Sequence, residues 1–219
     1  MNKIALFGTS ADPPTAGHRA ILVWLSQHFD LVAVWASDNP FKSHASPLEH
    51  RTKMLGLLIE EIAAPQHNIS LYPELSHPRT LVTLERAKEI WADGDFTLAI
   101  GSDLVCGSSG GNSGDSEALL KADRKGLAIM SWYRVEDLLR QVKLLVVPRP
   151  GYALSDKDLD DLRGLGTEVA IADFNAPAVS STAYREKGDT TSLTPPIEAY
   201  IHQEHLYECQ DAAKSRSSL

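Results

Sequence analysis

Cysteine is scarce in this sequence of 219 residues, with only Cys106 and Cys209, far apart. That excludes a disulfide framework and fits a reducing compartment. Long apolar runs are missing too: none reaches the ~18 residues that a bilayer-spanning helix needs. The N-terminus lacks a basic region, a long apolar stretch and a small-residue cleavage site, so no secretory signal is expected. Positive charge is in deficit, 21 Lys and Arg against 29 Asp and Glu, for a net charge of −8. Steering onto nucleic acid or an anionic membrane is therefore not expected, and a bound polyphosphate would need cations gathered locally. Neither an internal repeat nor a linker to a second core is visible. The expectation is a soluble, cytosolic protein whose hydrophobic residues, 43% of the chain, suffice for one sizeable core.

What is there alternates. Apolar, β-branched runs at Ile4–Phe7, Leu31–Trp35, Ile69–Tyr72, Phe96–Ile100, Leu144–Val147 and Val169–Ala172 read as buried strands. Between them lie stretches with helical spacing at Ala20–Phe29, Arg51–Ile62 and Thr80–Trp91, and weaker ones at Leu138–Val142 and Leu159–Leu165. Strands alternating with helices predict an α/β fold, a doubly wound and mostly parallel sheet covered on both faces. In such sheets ligands sit beyond the carboxyl ends of the strands. One domain is expected over 1–208, interrupted by a Gly/Ser-rich insertion at about 106–126 and followed by a disordered tail, 209–219. The insertion is expected to act as a partial lid or a passive surface loop.

The first strand ends in an unusual loop, "GTSADPPTAGH", Gly8–His18. Gly8 allows a close backbone approach, while Thr9 and Ser10 offer hydroxyls and N–H groups. The next helix should begin around Thr15–Ala16, and helix N-termini bind anions. Thr15 and His18 lie one turn apart on one face. Thr15 could simply be an N-cap. Gly17, however, costs a helix about 1 kcal/mol against alanine, which implies that something needs the room.

A second stretch, "PAVSSTAYREKGD", Pro177–Asp189, sets Ser180, Ser181 and Thr182 at a helix start with Arg185 on the same face. Plain capping is the bland alternative, but Tyr184 and Arg185 stand where a capping box would have Glu or Gln. Hydroxyls beside a guanidinium suit a phosphate.

Together "TAGH" at Thr15–His18 and "SSTAYR" at Ser180–Arg185 resemble the (H/T)-x-G-H and late Ser-Ser/Thr-x-x-Arg motifs of the nucleotidyltransferase superfamily. Within it the chain is most similar to the bacterial nicotinate-nucleotide adenylyltransferases. Further matches follow in order: "NPFK" at Asn39–Lys42, "RTLVTL" at Arg79–Leu84, "IGSD" at Ile100–Asp103, "SWY" at Ser131–Tyr133, "VVPRPGY" at Val146–Tyr152 and "IEAYIHQEHLY" at Ile197–Tyr207. The sequence departs from that family at Thr9 (usually Gly), Ala11 (usually aromatic), Thr15 (commonly His) and Phe41 (His). The Thr15 form resembles the phosphopantetheine adenylyltransferases.

The resemblance implies a Rossmann-like nucleotidyltransferase fold and a transfer of AMP from ATP to nicotinate mononucleotide, with Mg²⁺ accompanying ATP. It implies His18, Thr15 and Arg185 at the reacting phosphate, and Gly8, Thr9, Ser10, Gly17, Lys42, Asp103, Ser181 and Thr182 around ATP. Thr80 and Trp132 would face the pyridine ring. No protein-held metal, nucleic acid or membrane is implied, and a homo-oligomer is left open. The alternatives are another acceptor, nicotinamide mononucleotide or phosphopantetheine, and a non-catalytic nucleotide-binding relative. Asp158, Asp160 and Asp161 read as a solvated helix face, His202 and His205 lack the further ligands of a zinc site, and Cys106 lacks a nearby histidine for a nucleophilic role.

Overall fold

The structure, a computed structural model, describes residues 1–39, 43–62, 66–106, 127–175 and 177–207. Lys42, the body of the 106–126 insertion and the 209–219 tail lie outside the described residues.

Among the described residues six strands and seven α-helices succeed one another as β1 (Lys3–Thr9), α1 (Ala16–His28), β2 (Leu31–Ala36), α2 (Leu48–Glu61), β3 (Ile69–Leu71), α3 (Thr80–Ile90), β4 (Asp95–Gly101), α4 (Val135–Leu139), β5 (Lys143–Val147), α5 (Asp156–Arg163), β6 (Val169–Ile171), α6 (Ser181–Lys187) and α7 (Pro195–Gln203). The strands form one sheet, ordered β3-β2-β1-β4-β5-β6, and every neighbouring pair is parallel. The chain winds outward from β1 in one direction and from β4 in the other. Their shared boundary is the switch point at which such sheets bind ligands.

Alternation along β1 builds two cores. Ile4 and Leu6 pack with Leu81 and Leu84 of α3, Leu138 of α4 and Leu162 of α5. Ala5 and Phe7 face the other way, against Ile21, Leu22 and Leu25 of α1, Met54, Leu55 and Leu58 of α2, and Ile197 and Ile201 of α7. Helices therefore cover both faces, and the strands carry apolar residues on both, as parallel sheets require. Burial of each such side chain contributes about 1.5–3 kcal/mol.

Several boundaries differ from the expected ones, among them the end of the closing helix, which stops at Gln203 instead of Tyr207, and two have a visible cause. The fourth helix spans Val135–Leu139 instead of Leu138–Val142, because its buried stripe is Val135, Leu138 and Leu139 while Val142 already leads into β5. The fifth starts at Asp156, ahead of its apolar residues, because Ser155 caps it: the Ser155 hydroxyl accepts from Asp158 N–H, and Asp158 reciprocates.

Candidate active site

β1 runs out beneath the N-terminus of α1, and the loop between them carries the first motif. Gly8 lies opposite Trp35 in the parallel register. A Cβ there would fall 2.5 Å from two carbons of the indole. Close approach is thus required at Gly8, but by Trp35 of β2. At Gly17 a Cβ would meet the Thr15 hydroxyl and Val179, each at 3.3 Å. The room kept by this glycine is used by the segment entering α6.

Thr15 is the N-cap of α1, with His18 at the third helical position. Both are buried. The Thr15 N–H donates to His18 Nδ1 at 3.0 Å, and the Thr15 hydroxyl lies 2.9 Å from the same nitrogen. A backbone N–H can only donate, so Nδ1 is the acceptor. The ring proton of the neutral imidazole then sits on Nε2, which donates to the Thr9 hydroxyl at 2.9 Å. His18 thus occupies the capping-box position usually held by a carboxylate and turns an N–H donor toward the end of β1. Thr15 is a cap by position, yet its hydroxyl serves the imidazole.

The second motif reaches the same loop. Ser180, the N-cap of α6, accepts from Ala183 N–H at 3.0 Å, so this hydroxyl is consumed by capping. Ser181 donates its hydroxyl to Pro13 O at 2.7 Å. Arg185 donates to the Asp12 carbonyl and, at 3.3 Å, to the Thr182 hydroxyl. Of the three hydroxyls expected to cradle a phosphate, Ser180 caps α6, Ser181 ties α6 to the Gly8–His18 loop across 168 positions of sequence, and Thr182 lies beside Arg185.

Asp103 follows β4, adjacent to β1 in the sheet, and its carboxylate lies 3.4 Å from an Arg149 nitrogen. Gly101 is needed there, because a Cβ would collide with Asp103 and stand 2.9 Å from Arg149 Nε. Arg149 is held further by its N–H donating to the buried Ser102 hydroxyl at 2.9 Å. Thr80 opens α3, and Trp132 packs against the core on that side. Their neighbours meet: the Arg79 guanidinium sits 4.2 Å over the Tyr133 ring. The two predicted pyridine-facing residues thus belong to one corner of the fold.

Three residues tied into this site escaped the sequence reading. Asp12, 3% exposed, accepts on its carboxylate from Ala45 N–H (2.7 Å), Ser46 N–H (3.2 Å), the Ser46 hydroxyl (2.8 Å) and the Tyr207 phenol (2.8 Å). Arg51, 2% exposed, donates to the carbonyls of Ser46 (3.2 Å), Ser10 (3.0 Å) and Ser37 (2.8 Å). Burial pulls its guanidinium below the ordinary value, opposed by the Asp12 and Asp38 carboxylates. Burial pushes the Tyr207 phenol well above its ordinary range, and the Asp12 carboxylate adds to the shift. A signal existed for Arg51: it precedes Met54 and Leu55 by three and four positions, so the buried stripe of α2 runs through a charge.

Elsewhere, Asp160 pairs with Arg163 at 2.9 Å, and Asp158 serves the α5 cap, as a solvated helix face would. The Cys106 thiol donates to the Ala153 carbonyl at 3.0 Å, and burial raises it away from the thiolate. Among the described residues no three His, Cys, Asp or Glu side chains gather as metal ligands. No helix among them is long and apolar enough to cross a membrane.

A doubly wound parallel sheet that sets an imidazole at its first strand–helix turn and a guanidinium from a late helix on one loop is the arrangement expected of a nucleotidyltransferase. The chain belongs to the cytidylyltransferase-like family, whose model matches residues 6–187, and within it to the nicotinate-nucleotide adenylyltransferases. A Synechocystis sp. relative named "Probable nicotinate-nucleotide adenylyltransferase" is 39% identical over 218 residues, covering 94% of this chain and 98% of that protein. A Bacillus pumilus relative of the same name is 30% identical over 220 residues, 95% of this chain and all of that protein (100%). Among solved structures, Plasmodium falciparum nicotinic acid mononucleotide adenylyltransferase complexed with NaAD superposes with a TM-score of 0.73 at 19% identity, covering 95% of this chain and 98% of that one. At that identity the likeness is one of fold.

Proposed function

We propose that this protein transfers the adenylyl group of ATP to nicotinate mononucleotide, giving the deamido dinucleotide and pyrophosphate. The observation that carries the reading is the Thr15–His18–Thr9 chain of hydrogen bonds, which holds an imidazole N–H at the end of β1. Full-length likeness to relatives named for nicotinate nucleotide supports the acceptor, and the Plasmodium falciparum neighbour was solved with NaAD.

In this reading a phosphate oxygen of the mononucleotide attacks the α-phosphorus of ATP in line. The bond from that phosphorus to the oxygen bridging the β-phosphate breaks, and the electron pair leaves with pyrophosphate. No covalent enzyme intermediate forms, so positioning and charge stabilisation supply the catalysis. His18 Nε2–H releases the Thr9 hydroxyl and donates to the α-phosphate as charge builds there, with Thr15 steadying the ring. Thr182, Arg185, Lys42 and, once freed from Pro13, Ser181 hold the phosphates. Gly8, Thr9, Ser10 and Gly17 line their path, and Asp103, released from Arg149, accepts from ribose hydroxyls. Thr80 and Trp132 face the pyridine ring.

The site offers hydroxyls, an imidazole N–H and guanidinium donors, while its carboxylates are engaged, Asp103 by Arg149 and Asp12 by four hydrogen bonds, so the set suits phosphate oxygens better than a bare cation. Mg²⁺ is therefore assigned to the nucleotide, where it would offset charge on the leaving pyrophosphate. The activity is assigned to a single cytosolic domain spanning 1–208.

The experiment is an assay of ATP with nicotinate and nicotinamide mononucleotides side by side. A carboxylate makes charge-assisted hydrogen bonds roughly twice as strong as neutral ones, so kcat/KM should favour the acid. Equal kcat/KM for the two would remove the acid preference. Pyrophosphate release with phosphopantetheine alone would transfer the chain to another acceptor class, and no turnover with any acceptor would make it a nucleotide binder.

A further inference from the structure

Tyr207 follows α7, and 192 positions of sequence separate it from Thr15, yet its side chain ends inside the site's framework. Its hydroxyl is 2.8 Å from Asp12 Oδ1 and 3.0 Å from the Ser46 hydroxyl. Its ring meets Tyr184 of α6 edge-on, with centroids 5.8 Å apart. One side chain thus touches three separate segments: the Gly8–His18 loop, the residues leading into α2, and the helix that carries Arg185.

Those segments are themselves interlocked. Asp12 is bound through its carboxylate to Ala45 and Ser46 and through its carbonyl to Arg185. Arg51 fastens the carbonyls of Ser10, Ser37 and Ser46 from beneath. The backbone is bent to bring Tyr207 in, because His205 (φ 51°) and Tyr207 (φ 68°) both adopt the left-handed region that residues with a Cβ avoid. Strain of this kind persists only where surrounding contacts over-determine it, and it clusters at functional sites. A phenol kept protonated by burial beside a carboxylate is a permanent donor, so this joint does not switch off in the neutral range.

We propose that Tyr207 is a positioning residue for adenylyl transfer: its hydroxyl, between Asp12 and Ser46, and its ring, against Tyr184, set the phosphate loop and α6 in mutual register. The proposal rests on the adenylyl-transfer reading. It gives the segment after α7 a role in catalysis without contact with substrate. A shift of Asp12 moves Arg185 directly and His18 through the short 12–15 segment. The expected cost falls on the chemical step and on ATP, not on the pyridine corner around Thr80 and Trp132.

The test is Tyr207→Phe in the full chain, with Ser46→Ala and the double variant. Phe keeps the ring contact with Tyr184 and deletes only the hydroxyl. Steady-state kcat, KM for ATP, KM for nicotinate mononucleotide and melting temperature are measured for each. Losing one donor to a buried carboxylate should lower kcat/KM for ATP by about tenfold and leave KM for the mononucleotide within about twofold. Because Tyr207 and Ser46 share Asp12, the double variant should fall short of the product of the single effects. Unchanged kcat and KM for both substrates would overturn the proposal, whatever the melting temperature. So would a uniform loss of active sites with the rate per folded molecule intact. Wild-type protein assayed alongside separates the two readings. If it makes no dinucleotide, the adenylyl-transfer reading falls and takes this proposal with it; if it turns over normally beside an equally fast Tyr207→Phe, this proposal falls alone.

Discussion

The backbone N–H of Thr15 donates to Nδ1 of His18 at 3.0 Å, and that bond decides which nitrogen of the ring can give a proton. With Nδ1 occupied as an acceptor, Nε2–H is the donor, and it points to Thr9. The main chain enforces this arrangement independently of the Thr15 hydroxyl. Thr15→Val should therefore preserve the tautomer and lower kcat by less than about tenfold, the value of one neutral hydrogen bond. Single-turnover rates measure it; a loss as large as that of deleting His18 would mean the hydroxyl acts on substrate itself.

Gly8→Ala should destabilise the fold. The new methyl would stand 2.5 Å from the Trp35 ring, which is 4% exposed and cannot swing into solvent. Overpacking of this kind costs about 1–3 kcal/mol. Thermal melting reads the effect, and adding Trp35→Leu should recover part of it by vacating the space. A variant as stable as wild type would remove Trp35 as the reason for Gly8.

Alkaline stability should report Tyr207. Its phenol is raised from the ordinary value of 10.0, so the folded chain keeps a proton that the unfolded chain loses. The contribution is present in full below pH 10 and declines as pH rises beyond it. The stability gap between wild type and Tyr207→Phe should accordingly stay constant from pH 7 to 9 and shrink above 10 in urea melts. A gap independent of pH to the end of the accessible range would contradict the shift.

Much of this was legible beforehand, for reasons that differ by residue. Ile4–Phe7 and Leu144–Val147 are short, continuous apolar runs between turn signals, the pattern of a strand buried on both faces. His18 and Arg185 stand out in the sequence because one helix turn brings each beside hydroxyl-bearing residues, a spacing visible in the chain. Val135–Leu139 was misplaced because Val142 extends its period in sequence while belonging to the entry into β5. The reason for Gly8 was missed because its partner, Trp35, comes from another strand and is fixed only by register. Asp12 and Tyr207 were hidden similarly: a carboxylate in a proline-rich loop and a tyrosine near the end of the chain have no common period. Only the fold joins them.

His18→Ala tests the central claim most directly. Removing one donor aimed at developing charge typically lowers kcat by about 10²–10³. ATP should still bind nearly as well, because the proposed site leaves Arg185, Thr182 and the N-terminus of α1 to hold the ground state. His18 is also buried and joins Thr9 to Thr15, so the variant should melt somewhat earlier. Single-turnover formation of the dinucleotide, measured on the folded fraction beside the melting temperature, separates the two effects. The account predicts a rate lower by two to three orders of magnitude with ATP affinity changed only a fewfold. A His18→Ala protein that melts early but transfers the adenylyl group at the wild-type rate would contradict it.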